Sequence, residues 1–363
     1  MFDLELTEEQ VLIRETIAAF AGDKVRPIAR ECDEKGEIPQ DVVQLGFDLG
    51  LVQSAIPEDQ GGFGEDRSAV TGCIVAEELG FGDLSIALHL LAPRLVAYPL
   101  IDHGTAAQKE KYLPAFAESF RSATAAIVEP RFDFDPMNPA TTARRENGSW
   151  VLDGEKCFVP LAADADLFLV TAKADDRVTA FLVERGTEGL KVGEREKNMG
   201  IKALSTGTIT LAGARVPAEN EIGGGDSFDI ARMTNQGRIA LGALAVGVAK
   251  SAYKFALDYA KDRTAFGVPI AQKQAVAFIL ADMAIEVDAA RLLLWEAAAK
   301  LDNGQDATRE AFLAKRYASA ACLKTTDDAV QVLGGHGYIR DFPVELWLRN
   351  ARGFSSFEGL ALV

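Results

Sequence analysis

Over the first third of the chain apolar residues recur at helical spacing. Thr7 and Gln10 fit a capping box, a hydroxyl and an amide three residues apart that satisfy each other's backbone N–H, and Ile13, Ile17 and Phe20 follow three or four apart. Pro27, Pro39 and Pro57 punctuate this region, and Gln60-Gly61-Gly62-Phe63-Gly64 reads as a loop. Residues 70–79 and 85–100 predict further helices, mostly buried, and residues 107–113 an amphipathic run ending at Pro114. Glu77-Glu78 reads as a polar, outward helix face. The period changes near residue 123. Residues 167–171 and 178–183 are short apolar strands, and residues 206–211 alternate with period two. Asp153-Gly154, between apolar runs, predicts a two-residue hairpin. From Phe228 the helical period returns: Val276, Ile279, Leu280, Met283 and Val287 share one face, and residues 307–333 form another long, alanine-rich run. The pattern predicts a mainly α chain with an inserted β domain. An N-terminal helical domain spans 1–122, a small antiparallel, barrel-like β domain 123–227, and a C-terminal four-helix bundle 228–363.

Composition narrows the function classes. The 363 residues, 48% of them hydrophobic, are enough for several buried cores. A net charge of −16 argues against a nucleic-acid partner, which needs a basic surface. Cys32, Cys73, Cys157 and Cys322 lie far apart without a CxxC pair, as expected of buried free thiols in a reducing compartment. The three histidines, 89, 103 and 336, have no metal-ligand spacing, so no metal is expected. The acidic first ten residues show no apolar signal region, and no apolar run approaches the ~18 residues of a membrane span. The expectation is a soluble, cytoplasmic protein with no membrane partner.

Candidate chemistry concentrates toward the C-terminus. Gly334, Gly335 and Gly337 follow an amphipathic run, then arginines at 340, 349 and 352, then Glu358 in Phe357-Glu358-Gly359. Glycine lets a backbone approach a ligand, arginine pairs with phosphate, and a carboxylate beside apolar groups can act as a base. Taken singly, Gly334-Gly335 also reads as a helix C-cap and the arginines as solvated side chains. Arg263 stands in Asp262-Arg263-Thr264-Ala265-Phe266-Gly267, with Gln274 following, and Arg238 in Asn235-Gln236-Gly237-Arg238. Gly223-Gly224-Gly225 lacks the Lys-Ser/Thr of a phosphate loop.

The order of these segments, Gln331-Val-Leu-Gly-Gly-His-Gly-Tyr, Pro343-Val344-Glu345, Leu348-Arg349-Asn350-Ala351-Arg352 and Phe357-Glu358-Gly359, resembles the acyl-CoA dehydrogenases, and the helix–sheet–helix order extends that resemblance over the chain. Pro57 to Gly62 followed by Glu77-Glu78 resembles the N-terminal domain of the same family. The resemblance implies FAD as cofactor, an acyl-CoA substrate, Glu358 as the base that removes the α-proton, and Arg238, Phe134 and Gly359 beside the substrate. It implies Ile127, Val128, Glu129, Phe158, Val159 and Pro160 around the flavin ring, the first three and Val159 through their backbones. Arg263, Phe266, Gln274, Gln331, Gly334 and Gly335 would hold the FAD of a neighbouring subunit. An electron-transfer flavoprotein or similar acceptor and a homo- or hetero-oligomer are implied as partners. Several positions depart from the family pattern. Val128 and Pro160 stand where hydroxyl residues are usual, Asp133-Phe134 where Gly-Ser is usual, Leu360 where Thr is usual, and Ala265 where a polar residue is frequent. These departures leave open a half-site or non-catalytic subunit of a mixed assembly, with Phe134 and Pro160 filling the ring space.

Overall fold

The structure is a computed structural model that describes residues 5–225 and 228–363; the predicted boundary at 227 lies outside the described residues. The N-terminal region runs through α1 (Glu8–Phe20), α2 (Ala29–Lys35), α3 (Gln40–Asp48), α4 (Ala69–Gly82), α5 (Leu84–Leu91), α6 (Arg94–His103) and α7 (Ala106–Glu118). The capping box forms as expected: the Gln10 N–H donates to Thr7 Oγ1 at 3.2 Å and the Thr7 N–H to Gln10 Oε1 at 3.1 Å. Residues 85–100 are not one helix. The chain breaks at Ala92-Pro93, where proline has no N–H to continue the ladder. Pro114, by contrast, does not end α7. The carbonyl it leaves without a helical donor belongs to exposed Glu110, where water can serve it.

The middle region is one seven-stranded sheet: β1 (Ala123–Ala126), β2 (Thr142–Glu146), β3 (Ser149–Pro160), β4 (Leu167–Ala174), β5 (Arg177–Glu184), β6 (Leu190–Arg195) and β7 (Thr206–Pro217). Their order is β1-β4-β2-β3-β7-β6, with β5 also on β4. Pairing is mostly antiparallel; β1–β4 and β2–β4 are parallel. The predicted Asp153-Gly154 hairpin is absent, because both residues lie inside β3. The tight turn is Asn147-Gly148, with φ of 52° and 80°, joining Glu146 to Ser149. Asp153 and Gly154 instead take up a register shift against β7. A Cβ on Gly154 would stand 2.5 Å from Thr141 Oγ1, so only glycine fits there.

The C-terminal region holds α8 (Ile230–Asp262), a small hairpin of β8 (Thr264–Ala265) and β9 (Val268–Pro269), then α9 (Gln274–Asp302), α10 (Thr308–Leu333) and α11 (Val344–Ala351). The three long helices pack together, α11 closes against α8 and α10, and α4 lies along α8 and α9. Glycine permits the α4–α8 approach: a Cβ on Gly247 would meet the Glu77 carbonyl at 2.2 Å, and one on Gly80 the Leu244 carbonyl at 2.7 Å.

Across this seam Glu77 and Glu78 are buried, not outward. Lys250 Nζ reaches Glu77 at 3.1 Å and Glu78 at 2.6 Å, while Arg291 forks onto both Glu77 oxygens at 2.8 and 2.9 Å. Burial opposes ionisation of Glu77, but Arg291 and Lys250 outweigh it and hold its carboxyl below the usual range.

Two helical stretches, Leu84–His103 and Ile230–Asp262, are long and apolar enough to cross a membrane by length and composition, although the uninterrupted apolar runs are shorter. In the fold 89% and 78% of their apolar windows are buried inside the protein, so their hydrophobicity is used as core.

Removing Glu77 would take from Arg291 its bidentate partner and from Lys250 one of its two carboxylates, leaving Asp288 and Glu78 alone to serve them. Glu77→Ala is expected to cost about 2 kcal/mol of stability, read as a lower urea midpoint; an unchanged midpoint would show that Glu77 contributes nothing net.

Candidate active site

Glu358 sits in the irregular segment after α11. Gly359, at φ 64°, turns the chain away, and a Cβ there would meet Ile127 Cδ1 at 2.9 Å. The Glu358 side chain is 22% exposed, so it does not stand free in solvent. Sequence reasoning set it among apolar groups; the structure sets it between two cations. Lys315 Nζ, from α10, lies 3.0 Å from Glu358 Oε1 and donates to the Phe357 carbonyl at 2.5 Å. Arg238 Nε, from α8, lies 3.5 Å from the same Oε1. The Arg238 guanidinium also covers the Phe312 ring at 5.4 Å, and its buried Nε has no hydrogen-bond partner. The fold therefore brings Glu358, Gly359, Arg238 and Ile127 together from three regions of the sequence.

Beside this cluster opens a cavity of about 370 Å³, walled by Val128, Cys157, Phe158, Arg352 and Phe357 together with residues 198–201. Phe357 is in its wall; Glu358, next in sequence, is not. The Phe158 and Phe357 rings stack at 5.5 Å and 28°. Phe158 takes φ 56° within β3, where the register shifts between Lys156 and Val159, and its N–H donates to Glu196 Oε1 at 3.0 Å. A bulky residue at positive φ stores strain, and the bulge aims its ring. Val128 is half-buried in the same wall, its carbonyl accepting from the Cys157 N–H at 2.9 Å. Cys32, Cys73 and Cys322 are buried as expected, whereas Cys157 is half-buried and faces this cavity.

The other residues assigned to the ring serve the β domain. The Glu129 carboxylate turns inward and accepts from the Ala140 and Thr141 N–H groups, the Thr141 hydroxyl and Lys156 Nζ at 2.7 to 3.0 Å. Burial pulls the Lys156 ammonium down to about 8 against the opposing pull of Glu129. Lys156 also donates to the Ile127 carbonyl at 3.1 Å. Val159 packs into the sheet core, and Pro160 is a buried strand residue paired with Thr206. Phe134 is partly buried against the apolar cluster that includes Ile127, Met233 and Leu362. Neither Phe134 nor Pro160 lines the cavity, so the expectation that they fill it is not met.

A second group of assigned residues gathers at one end of the bundle. Arg263, Gly334 and Gly335 line a cavity of about 310 Å³ with Tyr259, Ile270 and His336. Gly334 caps α10 at φ 60° and ψ −130°, a conformation open to glycine alone, so the C-cap and ligand readings coincide. A Cβ on Gly334 or Gly335 would meet nothing within 4 Å, which leaves this backbone open to a ligand. Phe266, at φ 54° in the β8–β9 turn, is 95% exposed; Gln274 and Gln331 are exposed nearby in sequence.

The C-terminal arginines divide. Arg349 is not free for an anion: it forks onto Asp33 at 2.8 and 3.0 Å and pairs with Glu345 at 2.8 Å. Arg340 reaches Asp33 and Glu34, and Arg352 remains exposed in the cavity wall. Among the described residues no group of three or more His, Cys, Asp or Glu is placed to hold a metal ion.

The two cavities differ in chemistry. The first is aromatic-walled and suits a planar ring; the second offers open glycine backbone and an arginine, which suit a diphosphate. Sequence reasoning missed Lys315, Glu196 and residues 198–201. Lys315 had a readable signal. It lies on the buried stripe with Ala311, Ala314 and Ala318, where a cation must find a partner.

Residues 7–119 match the acyl-CoA dehydrogenase N-terminal domain, 124–214 its middle domain and 228–361 its C-terminal domain. The chain is 35% identical to an acyl-CoA dehydrogenase of Bacillus subtilis (strain 168), covering 98% of this chain and 96% of that one. It superposes on butyryl-CoA dehydrogenase from Megasphaera elsdenii with a TM-score of 0.90 at 34% identity, covering 98% and 96%. It superposes on the FAD complex of PigA with a TM-score of 0.89 at 28% identity, covering 98% and 95%. With a match in each region and this identity over nearly its whole length, the chain belongs to the acyl-CoA dehydrogenase family.

Proposed function

We propose that this protein oxidises the Cα–Cβ bond of an acyl-CoA thioester, with FAD as cofactor and Glu358 as the base. The observation that carries the reading is the convergence of Glu358, Arg238 and Lys315 beside an aromatic-walled cavity. Val128, Phe158 and Phe357 would border the ring. The exposed Gly334-Gly335 backbone and Arg263 would hold the diphosphate of a neighbouring copy's FAD, with Phe266 from the same turn. Bound FAD supplies a two-electron acceptor that takes the β-hydrogen as hydride.

The chain's own residues do the rest. The Glu358 carboxylate accepts the α-proton as the Cα–H bond breaks, and that electron pair forms the new Cα=Cβ bond as the β-hydride leaves. Proton and hydride together balance the two hydrogens lost from the acyl chain. Negative charge develops on the thioester oxygen meanwhile, and in this reading the Glu358 backbone N–H donates to it. Arg238 keeps the carboxylate side of the site cationic before substrate enters.

Exposed surface on α9 supports an assembly of copies. Phe278, Ile285 and Leu292 repeat every seven residues along α9 and are 61%, 64% and 45% exposed. Such a row on a long helix supports a second copy of the chain as its cover. An electron-transfer flavoprotein or similar acceptor would reoxidise the cofactor, a reading that rests on the family resemblance.

A second reading is a subunit that completes a partner's FAD site while holding none itself. Val128 and Pro160, which offer no hydroxyl to a ring, favour it. The visible spectrum of the chain purified alone decides. A flavin spectrum bleached by an acyl-CoA without oxygen supports the dehydrogenase; a colourless protein that gains flavin only with a second polypeptide supports the half-site subunit. Glu358→Gln is expected to keep bound flavin and to lose about 10²–10⁴-fold in flavin reduction; retained reduction would place the base elsewhere. Arg263→Ala combined with Phe266→Ser, both exposed, should leave the melting temperature of the apoprotein unchanged and release the flavin on gel filtration. Full flavin retention would remove these residues from the cofactor site.

A further inference from the structure

We infer that Lys315 is the positioning residue of this site, fixing through one ammonium both the Glu358 carboxylate and the peptide that carries the Glu358 N–H. The inference rests on the reading of Glu358 as base.

Lys315 lies on the inward stripe of α10, is 8% exposed, and is flanked by buried Ala311, Ala314 and Ala318. A lysine in that place must give up its hydration, so its partners have to replace it. Two are adjacent in sequence: the Phe357 carbonyl at 2.5 Å and Glu358 Oε1 at 3.0 Å. An ammonium carries three donors, so it can serve both at once.

The carbonyl contact reaches further than it first suggests. The Phe357 carbonyl and the Glu358 N–H are opposite edges of one planar trans peptide. Holding the carbonyl toward α10 turns the N–H away from α10. In the proposed reaction that N–H meets the charge developing on the thioester oxygen. One ammonium thus sets the direction of the oxyanion donor and the position of the base.

The segment needs such a tether. Residues 352–359 form turns and irregular backbone, bounded by Gly353 and by Gly359 at positive φ. One turn further along α10, the Ser319 hydroxyl, which bonds the Lys315 carbonyl at 2.7 Å, also lies 3.3 Å from the Phe354 carbonyl. A rigid helix therefore holds a loop that carries the chemistry, which is how sub-ångström placement is kept.

The test uses flavin-loaded protein and three variants, Lys315→Met, Lys315→Arg and Glu358→Gln. One readout is exchange of the α-hydrogen into deuterated water for an acyl-CoA with sulfur in place of its β-carbon. This measures proton abstraction without oxidation. The other is the α-deuterium isotope effect on flavin reduction by a normal acyl-CoA. All rates are taken per bound flavin, with KM measured alongside.

Lys315→Met is expected to slow exchange and reduction about 100-fold, to leave KM within about twofold, and to enlarge the isotope effect, because proton abstraction becomes limiting. Lys315→Arg should recover about tenfold of the exchange rate, since a cation can still reach the carbonyl. Lost activity with unchanged exchange per flavin and an unchanged isotope effect would mean that Lys315 only supports folding, and would overturn the proposal. Should Lys315→Met not fold, Lys315→Arg decides: its displaced cation must lower exchange below the unaltered protein, and equal exchange overturns the proposal. Glu358→Gln is the control on the underlying reading. If it exchanges at the normal rate, the base assignment fails whatever Lys315 does; if it loses exchange and Lys315→Met does not, only the positioning role fails.

Discussion

The contact between α4 and α8 is the constraint on which the rest of the molecule depends. Backbones meet there because Gly80 and Gly247 carry no side chain at the crossing. That closeness carries Glu77 and Glu78 out of water, and Lys250 and Arg291 must follow to neutralise them. The pairing is specific because a one-turn slip of either helix would separate buried charge from its partner, a far larger penalty than displaced apolar contacts carry. Once α8 is fixed against α4, Arg238 near its beginning and Arg263 at its end are fixed too, and with them the Glu358 cluster and the cavity that Arg263 lines.

The site itself is assembled from segments with little regular structure of their own. Phe158 is aimed by a bulge, Gly334 by a helix cap, and Glu358 by a turn between glycines. Each is rigid only through what packs behind it: Glu196 behind Phe158, α10 behind Glu358, the close of α10 behind Gly334. Regular elements supply the frame, and the irregular joints present the chemistry, where backbone is free to face a ligand.

Legibility in the sequence followed the range of each interaction. Helix and strand periods gave the three-part architecture, since both depend on neighbours within a few residues. The Thr7-Gln10 cap was readable for the same reason. Asp153-Gly154 and Asn147-Gly148 carry the same turn chemistry, and local sequence does not say which one reverses the chain and which is absorbed as a register shift. Thr141, just before β2, stands so close to Gly154 that no side chain fits there, a contact made by a distant residue. Glu77 read as outward because its partners stand 173 and 214 residues away. Glu358 was found through a resemblance that spans many positions, whereas Lys315 looked like one more lysine in a helix until the packing showed where it ends.

The two cavities have a genetic corollary. Arg263 and Gly335 line one, Phe158 and Phe357 the other, and neither of these two cavities contains both pairs. If one flavin spans two copies, each copy contributes a different half to each of two sites. Two chains crippled in opposite halves would then restore each other when co-expressed, because one pairing among them brings both intact halves face to face. A defect in either half alone would be recessive in a mixed population, and its severity would depend on how the copies are shuffled, not only on how many are sound.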